Sequence, residues 1–527
     1  MTKNFYITSP IYYVNDVPHI GHAYTSIACD VMARFRRLEK LNVRFLTGTD
    51  EHGQKVEKSA IAREIEPLEF CDQVSQKFRE LTQILQLSND DFIRTTEERH
   101  KICAQAVWKR LEQNGFIYKG VYEGWYAVRD EAFYAPDELV DGKAPTGAEV
   151  VWEKQESYFF KLSAFQDKLL MLYDAAPDFV QPAGKMNEVL SFVKGGLKDL
   201  SISRNSFSWG VPIPVETSAA ATSQKPHIMY VWLDALTNYI SALGFPDENS
   251  QLYQDFWCNT FSSPVHVVGK DILRFHAVYW PAFLMAADLP LPHTVFAHGW
   301  WTNEGQKISK SVGNVIDPLK EIEWLKTLGC DDEQALDYFK YFLMREVPFG
   351  NDGDYIRANI ITRINAELAN NIGNLAQRSL SMIYKNNNGE IVDIEGFDDG
   401  GLLKKGYELQ QKFSAKMSQF SYDQAIGEVI AFSSLCNQFI NDKAPWSMKK
   451  DGKIVEMNQV LSIVAECLRL ISLCLRPFLP NLTLRIQNIL QTVEKYDIFE
   501  EMSEKCALKA GHKIGEPKAI FPRLEVK

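Results

Sequence analysis

Apolar residues recur along this chain at two different spacings. In the first 300 residues, short apolar runs alternate with amphipathic segments. Residues 5–8 and 43–46 have the β-prone composition of strands, and between them apolar side chains recur every three or four residues over 21–39. A strand, a helix and a strand of this length predict a parallel βαβ unit. A long helical stretch is predicted at 57–113, and further strands are predicted at 228–232, 265–268 and 294–296.

After residue 354 only the helical spacing remains. Helices are predicted at 357–384, 402–420, 424–441, 454–475 and 482–493, which together indicate a helical bundle. Residues 118–151 are instead rich in glycine, tyrosine and acidic residues, with mixed strand and turn signals. The predicted fold class is therefore α/β: a Rossmann-like parallel-sheet domain split by an α+β insertion and followed by a C-terminal α-helical bundle.

The pattern divides the chain into five segments. The two halves of the parallel-sheet domain are predicted at 1–118 and 226–300, with the insertion at 119–225 between them. A linker subdomain at 301–355 carries a loop rich in lysine and serine, and the helical domain occupies 356–527.

Composition is that of a globular protein, since 46% of the 527 residues are hydrophobic and 24% are charged. The longest apolar stretch, 461–480, contains Glu466, Arg469 and Arg476, and charges in mid-span argue against a membrane helix. The first residues run directly into a strand-like segment without a targeting pattern, so we expect a cytoplasmic protein. The nine cysteines form no CxxC pair, which suits reduced thiols.

Charge is distributed unevenly. The formal net charge is −11, but residues 356–527 contain 22 Lys and Arg against 20 Asp and Glu. The acidic excess therefore lies in the first two thirds of the chain, and the helical part could present a locally basic face to RNA.

Two short motifs carry candidate chemistry. In Pro18-His19-Ile20-Gly21-His22, two imidazoles flank a glycine where a helix begins, an arrangement that can bind an anion. In Lys307-Ile308-Ser309-Lys310-Ser311, lysines and hydroxyls can bind polyphosphate. Taken singly, the first could be a capping turn with incidental histidines and the second a solvated turn.

Together, the two motifs in this order resemble the class I aminoacyl-tRNA synthetases. The resemblance narrows to the methionyl-tRNA synthetase family, of the bacterial and mitochondrial type that lacks zinc-binding cysteines. It rests on the opening Phe5-Tyr6-Ile7-Thr8-Ser9-Pro10-Ile11-Tyr12-Tyr13 and on Thr49-Asp50-Glu51-His52-Gly53, Val231-Trp232-Leu233-Asp234-Ala235, Gly269-Lys270-Asp271, Phe275-His276 and His298-Gly299-Trp300. It implies a methionine–tRNA ligase that forms methionyl-adenylate and pyrophosphate from L-methionine and ATP, then charges tRNA(Met), including the initiator.

The resemblance also implies the site residues. The methionine pocket would be Ile11, Tyr13, Asp50, Trp232, Ala235, Leu236, Tyr239, Ile272, His276 and Trp280. ATP, with Mg²⁺, would be held by Tyr12, Tyr13, His19, Gly21, His22, Gly269, Asp271, Lys307, Ser309, Lys310 and Ser311, of which His19, His22, Lys307 and Lys310 would be catalytic. The CAU anticodon would be read by Asn374, Arg378 and Trp446.

The residue types fit these assignments. Aromatic rings pack well against the sulfur of methionine, and a buried α-ammonium needs a carboxylate such as Asp50. The reaction needs no enzyme nucleophile, because positioning and charge stabilisation suffice. A purely structural interpretation remains for each group: core packing for the aromatic residues and a solvated helix face for Asn374 and Arg378.

One feature departs from many family members. No cysteine occurs between Cys103 and Cys258, and histidine is absent from the part of the insertion where zinc ligands are expected. A structural zinc needs four nitrogen or sulfur ligands, so we expect no structural zinc and no metal site. We also expect a monomer, because only a short tail follows the helices.

Two other functions remain open from the residues. One is a different adenylyl-transferring enzyme with the same histidine motif, either a small-molecule ligase or another class I synthetase. The insertion is too short for the large editing domain of the leucine, isoleucine and valine enzymes. The other is a catalytically inactive tRNA-binding paralogue, which would be expected to lose one of the two motifs.

Overall fold

The strands lie mainly in the first 300 residues. The structure is a computed structural model that describes residues 3–14, 17–129, 132–134, 136–214, 226–308, 313–493 and 498–525. The strands are β1 (Asn4–Thr8), β2 (Tyr12–Tyr13), β3 (Asn42–Asp50), β4 (Asp91–Arg94), β5 (Ile117–Ala127), β6 (Ala132–Tyr134), β7 (Val151–Phe160), β8 (Val180–Gln181), β9 (Leu200–Ser201), β10 (Ser203–Arg204), β11 (Ile228–Met229), β12 (Ser262–Gly269), β13 (Thr294–His298), β14 (Trp301–Asn303), β15 (Gln306–Lys307) and β16 (Gly353–Tyr355).

Helices occur throughout and dominate the C-terminal part. They are α1 (Ile20–Leu38), α2 (Gln54–Ile61), α3 (Pro67–Ile84), α4 (Glu98–Gln113), α5 (Gln166–Ala175), α6 (Ala183–Lys194), α7 (Val231–Leu236), α8 (Asn238–Ser241), α9 (Gln251–Tyr253), α10 (Trp280–Ala286), α11 (Pro318–Thr327), α12 (Asp332–Arg345), α13 (Arg357–Arg363), α14 (Asn374–Asn386), α15 (Leu402–Met417), α16 (Tyr422–Lys443), α17 (Pro445–Lys450), α18 (Ile454–Leu475) and α19 (Pro480–Leu490). π-helical segments cover Gln254–Cys258, Phe275–Tyr279 and Ile364–Gly373, and 3₁₀ turns cover Pro136–Glu138, Leu162–Phe165, Lys270–Ile272, Phe499–Glu501 and Glu504–Cys506.

The main sheet follows the order β2-β3-β1-β12-β13-β8, with β4 paired to β3. The pairings β2–β3, β3–β4, β1–β12, β12–β13 and β13–β8 are all parallel. Parallel strands need both faces covered, which explains their almost continuous burial. The predicted α/β fold class with a parallel sheet and a C-terminal helical part is confirmed.

The prediction of one helical stretch over 57–113 is wrong in its middle. The structure has three helices there and inserts β4 before the third, where it pairs with β3. The pairing is close at Gly48, because a Cβ built on that residue would lie 2.0 Å from the carbonyl oxygen of Ile93. A strand of four residues depends on such a long-range partner, which local periodicity does not reveal.

The predicted strand at 228–232 is also wrong in part. Only Ile228–Met229 is extended, and it pairs antiparallel with β10 rather than with the main sheet. Helix α7 begins at Val231. The strands predicted at 265–268 and 294–296 lie within β12 and β13, as expected.

The region predicted as an insertion forms a second, antiparallel sheet with the order β6-β5-β7-β9. Its centre is the long β5–β7 ribbon, which pairs Ile117 with Phe160 at one end and Tyr126 with Val151 at the other. Between β7 and β9 the chain also contributes β8 to the edge of the main sheet.

The chain divides into two compact units. The first consists mainly of residues 3–18 and 43–298, and it contains the main sheet and the antiparallel sheet. The second consists mainly of 19–42 and 299–527, so α1 belongs with the helical part of the chain. Within that unit the Tyr422 hydroxyl donates to the Ala28 carbonyl at 2.9 Å, and the rings of Phe35 and Phe413 pack edge to face.

Helix α18 lies at the centre of the helical bundle. Among the described residues it is the one helix long and apolar enough to cross a membrane, but 94% of its most apolar window is buried inside the protein. Glu466 and Arg469, two charged residues of this apolar stretch, form an ion pair: Arg469 Nη2 lies 2.6 Å from Glu466 Oε1. Arg469 also donates to the Glu501 carbonyl, and the Leu508 amide donates to Glu466. The pair is thus satisfied within the core.

Candidate active site

Predicted site residues lie at the carboxyl ends of the parallel strands, the edge at which open α/β sheets bind ligands. Tyr13 and Asp50 are register partners at the ends of β2 and β3, so two of the predicted methionine contacts are adjacent. Asp50 is buried. Tyr12, predicted to touch ATP, stacks its ring on Phe78 at 5.5 Å.

Gly269 ends β12, and Asp271 lies in the turn that follows it. A Cβ built on Gly269 would lie 2.5 Å from Asp271 Oδ1, so a larger residue would require that carboxylate to move. Gly269 is also the register partner of His298 at the end of β13. Both predicted ATP contacts are therefore at the functional edge of the sheet, and their role stays a prediction.

Four residues of the predicted methionine pocket come together around Tyr239. Its hydroxyl lies 2.6 Å from His276 Nε2, and its ring centroid lies 6.1 Å from that of Trp280. The Trp232 ring stands edge-on to the His276 ring at 6.3 Å. The structure thus gathers Trp232, Tyr239, His276 and Trp280 into one aromatic cluster in the first unit.

The hydrogen bonds fix the tautomer of His276. Its Nδ1 lies 3.0 Å from the Ile272 carbonyl, which can only accept, so Nδ1 carries the proton. Nε2 therefore accepts from the Tyr239 hydroxyl. Burial lowers the pKa of His276 to about 4, although the Ile272 carbonyl and the Asp271 charge act in the opposite direction. The imidazole is neutral at physiological pH.

No site role was assigned from the sequence to two residues of this cluster, His266 and Phe275. His266 stacks beneath Tyr239 with the ring centroids 4.0 Å apart, accepts from Trp280 Nε1 at 3.2 Å, and donates from Nδ1 to Thr8 Oγ1 at 2.8 Å. Phe275 stacks on Trp232 at 3.7 Å. Burial and the neighbouring His276 hold the pKa of His266 well below its ordinary value. A histidine within the apolar run of β12 was the available signal, because a buried imidazole needs partners.

The other predicted pocket residues are apolar and pack in the same unit. Ala235 and Leu236 are buried in α7, whereas Ile11 and Ile272 are partly buried against the same core. These positions suit the walls of an apolar pocket.

The two histidines of the first motif form a reciprocal cap at the start of α1. His19 Nδ1 accepts from the Gly21 amide at 3.0 Å, and His22 Nδ1 accepts from the His19 amide at 3.0 Å. A Cβ on Gly21 would lie 2.9 Å from His19 Cε1, which explains the glycine. Burial, with the adjacent His19, holds the pKa of His22 well below its ordinary value. In the neutral form each ring that accepts at Nδ1 carries its proton on Nε2.

The lysine motif is described only at its edges. Ser309, Lys310 and Ser311 lie outside the described residues, and of Lys307 only the backbone is described, in β15. After the motif, the Ile316 carbonyl accepts from the Ile20 amide at 2.9 Å, and the Asn314 carbonyl accepts from Asn303 Nδ2 at 3.0 Å. The segment after the lysine motif is thus bonded directly to the first residue of α1.

The three residues predicted to read the anticodon lie in the helical bundle. Arg378 places its guanidinium 4.7 Å from the ring centroid of Trp446 and donates to Asn441 Oδ1 at 3.2 Å. Trp446 is 38% exposed, and Asn374 is exposed one turn before Arg378 on α14. The structure brings all three to one part of the surface, with an aromatic ring available for stacking.

No group of three or more His, Cys, Asp or Glu side chains that could hold a metal ion occurs among the described residues. The absence of zinc stays a prediction.

Comparison with known proteins agrees with this geometry. A family model described as tRNA synthetases class I (M) matches residues 5–150 and 146–380, and a model of the anticodon binding domain of methionyl tRNA ligase matches 398–526. With the parallel sheet and the two motifs, these matches define a class I aminoacyl-tRNA synthetase.

Individual relatives narrow this class. The methionine–tRNA ligase of Rickettsia felis is 52% identical over 535 residues, covering 100% of this chain and 99% of the relative. That of Brucella suis biovar 1 is 46% identical over 529 residues, covering 99% of this chain and 98% of the relative. The structure of Mycobacterium tuberculosis methionyl-tRNA synthetase in complex with methionyl-adenylate matches with a TM-score of 0.92 at 41% identity, covering 99% of this chain and 100% of that one. The chain belongs to the methionyl-tRNA synthetase family, and it is accordingly an aminoacyl-tRNA ligase that activates methionine and charges tRNA.

Proposed function

We propose that the aromatic cluster around Tyr239 binds the methionine side chain during activation. The observation that carries this proposal is that the cluster is uncharged. His276 and His266 each accept a hydrogen bond at Nε2, as only a neutral imidazole can, and burial lowers the pKa of both. A neutral pocket of aromatic rings favours an apolar, polarizable thioether and disfavours charged side chains, which would lose their hydration without a partner.

Asp50 binds the α-ammonium group of methionine. It is a buried carboxylate at the end of β3, and its register partner Tyr13 ends the adjacent strand. A buried cation requires an anionic partner. This contact holds the methionine carboxylate for attack on the α-phosphate of ATP, after which pyrophosphate leaves.

His19 and His22 donate hydrogen bonds to the phosphates from Nε2. Their Nδ1 atoms are engaged in the helix cap, so the proton of each neutral ring is held on the opposite nitrogen. Preorganised donors of this kind stabilise charge that develops in the transition state. Lys307 and Lys310 compensate the charge of the departing pyrophosphate. The chain after their motif is bonded to the start of α1, because the Ile316 carbonyl accepts from the Ile20 amide.

Mg²⁺ accompanies ATP and neutralises phosphate charge. The described residues form no acidic cluster that would hold it alone, which suits an ion that takes its ligands mainly from phosphate oxygens and water.

Charging then transfers methionine to the terminal adenosine of tRNA(Met), including the initiator. In the helical domain Trp446 and Arg378 offer planes on which unstacked bases of the CAU anticodon can lie, and Asn374 offers an amide to a base edge. The domain boundaries, a monomeric state, a cytoplasmic location and the lack of structural zinc are part of the same proposal.

The decisive experiment is pyrophosphate–ATP exchange with each of the twenty amino acids. Exchange above background is expected with methionine alone, because the pocket is neutral and aromatic. Charging is then measured with a tRNA that bears CAU and with a matched transcript whose anticodon is altered, and only the first should accept methionine efficiently. Exchange driven by a different amino acid would contradict the pocket assignment. Methionine-dependent exchange together with equal charging of the two transcripts would contradict the anticodon assignment alone.

The same assay separates two other activities. A small-molecule ligase would form an adenylate but would not charge tRNA. An inactive tRNA-binding paralogue would bind the transcript without supporting exchange. Both are disfavoured by the joint presence of the histidine cap, the lysine motif and the aromatic cluster.

A further inference from the structure

A buried carboxylate outside the proposed pocket binds two buried imidazoles at once. Asp234 Oδ2 lies 2.7 Å from His52 Nδ1, and Asp234 Oδ1 lies 2.7 Å from His100 Nε2. The side chains of Asp234, His52 and His100 are 0%, 3% and 0% exposed. Because a carboxylate only accepts, each imidazole donates the proton of the nitrogen that faces it.

The three residues come from separate elements that each lead to the proposed pocket. His52 follows Asp50 by two residues after the end of β3. Asp234 lies in α7, which also carries Trp232 and Ala235. The carboxylate therefore ties the turn bearing the ammonium ligand to the helix bearing part of the pocket wall.

The second imidazole extends the connection to Tyr239. His100 projects from α4, and its Nδ1 lies 3.2 Å from Ser241 Oγ in α8. Tyr239 is on the same short helix. A single network thus links the turn that follows Asp50 with α7 and α8, the three segments that carry proposed methionine contacts.

The negative charge of Asp234 is stabilised by its two imidazole partners. Burial acts to raise the pKa of Asp234, but the charge of His52 and the hydrogen bonds from His100 and His52 outweigh it and bring the pKa to about 2. The group is an anion at every pH at which the enzyme works. A buried anion is tolerated when both oxygens have good donors, and removing one partner leaves the other unsatisfied.

We propose that Asp234 is a positioning residue for methionine: through His52 and His100 it sets the spacing between the ammonium ligand Asp50 and the side-chain pocket. This inference rests on the proposed pocket. It concerns residues that do not themselves contact the substrate in that proposal. Its consequence is selective, because the network links methionine-binding segments and not the histidine cap of α1.

The test is Asp234→Asn, with methionine affinity measured by equilibrium binding and the KM values for methionine and ATP measured by pyrophosphate exchange. Asparagine has nearly the same volume as aspartate. Its amide N–H₂ group would face the N–H of His52 or His100, so two donors would meet and one hydrogen bond would be lost. The expected result is a loss of methionine affinity of about tenfold or more, the scale at which displaced positioning groups act. The KM for ATP should stay within about twofold.

A matched control is Asp337→Asn in the second unit. Asp337 is another buried carboxylate, and it accepts from the backbone amides of Asn481 and Leu482 at 2.9 and 2.8 Å. Asp337→Asn should lower Tm without changing methionine affinity, because an amide N–H₂ group would face a donor that the carboxylate now accepts from. Should Asp234→Asn lower Tm in the same way while methionine affinity stays within about twofold of wild type, the network is structural only and the inference is overturned.

A second pair of variants keeps the test decisive if Asp234→Asn does not fold. His52→Asn carries an amide N–H at the position of Nδ1, whereas His52→Ala carries no donor. Asparagine should retain methionine affinity within about threefold, and alanine should lose about tenfold. Equal loss in both variants would count against a role for the hydrogen bond.

Tyr239→Phe separates failure of this inference from failure of the proposed pocket. It removes only the hydroxyl that contacts His276. Weaker methionine binding in Tyr239→Phe with unchanged binding in Asp234→Asn refutes the positioning role alone. Unchanged binding in both refutes the pocket assignment as well.

Discussion

Replacing His22 with alanine removes a helix cap and a proposed phosphate donor at the same time, and the two losses differ in size. His22 Nδ1 accepts from the His19 amide at 3.0 Å, which is one half of the reciprocal cap of α1. Loss of a capping contact costs about 1 kcal/mol of stability. Loss of one preorganised donor to a developing charge costs about 3 kcal/mol, roughly a hundredfold or more in rate. We expect His22→Ala to fold and to be at least a hundredfold slower in adenylate formation.

His22→Gln distinguishes the two contributions. Glutamine is common at this third position of a capping box, because its side-chain oxygen can accept from the backbone amide of the N-cap residue, here His19. The free energy of unfolding measured in urea should therefore be close to that of wild type. The amide nitrogen stands on a longer and more flexible side chain than the imidazole Nε2 and is not held in one place by a ring, so the rate of pyrophosphate exchange should still fall.

A matched control comes from the other reciprocal cap in the same unit. At the start of α12, Gln334 Oε1 accepts from the Asp331 amide and Asp331 Oδ1 accepts from the Gln334 amide, both at 2.9 Å. Gln334→Ala should cost at least as much stability as His22→Ala, because Gln334 also bonds the Ile520 carbonyl. Its exchange rate should stay near wild type. If His22→Ala remained within threefold of wild type in exchange, the phosphate role would be refuted.

Three further predictions follow from the same assignments. Lys310→Ala should slow adenylate formation about a hundredfold or more without lowering Tm, since it removes a charge proposed to act on pyrophosphate; an exchange rate within threefold of wild type would contradict the role. Trp446→Ala should weaken tRNA binding by about 1–3 kcal/mol for each lost base stack, which lowers tRNA charging and leaves pyrophosphate exchange intact. Equal loss of charging and exchange would mean that Trp446 has a structural role. The pKa of His276 is about 4 in the folded protein and near 6.5 in the unfolded chain. Between these pH values the unfolded chain binds more protons, so the free energy of unfolding falls with falling pH by up to about 3 kcal/mol. Urea denaturation from pH 7 to 4 should show this loss reduced in His276→Gln, and identical pH profiles would exclude His276 as its source.

Local periodicity was enough to predict the helical bundle. The helix predicted at 454–475 has those bounds in the structure, and the one predicted at 357–384 is continuous helical chain from 357 to 386 with a π-helical segment in its middle. The apolar face of a bundle helix repeats within the helix itself, so the signal is independent of distant partners.

Strand β4 and the network around Asp234 could not be found in that way. Each depends on residues far apart in the sequence: β4 on its pairing with β3, and Asp234 on histidines 182 and 134 positions away. Family motifs predicted Trp232, Tyr239 and His276 as methionine contacts because these residues stand in or near recognisable segments. They said nothing of why His276 is neutral, which follows from burial and from the Ile272 carbonyl.

The second unit joins the helix that begins at the histidine cap to the helical bundle. Helix α1 carries the histidine cap, and its own unit is the helical part of the protein. Its buried Asp30 binds Arg34 at 2.8 Å and lies 3.9 Å from the ammonium of Lys340, a fully buried residue of α12. The Tyr422 hydroxyl of α16 donates to the Ala28 carbonyl of α1. Since α12 and α16 both contact α1, the helical bundle supports the helix that carries His19 and His22, the proposed phosphate donors.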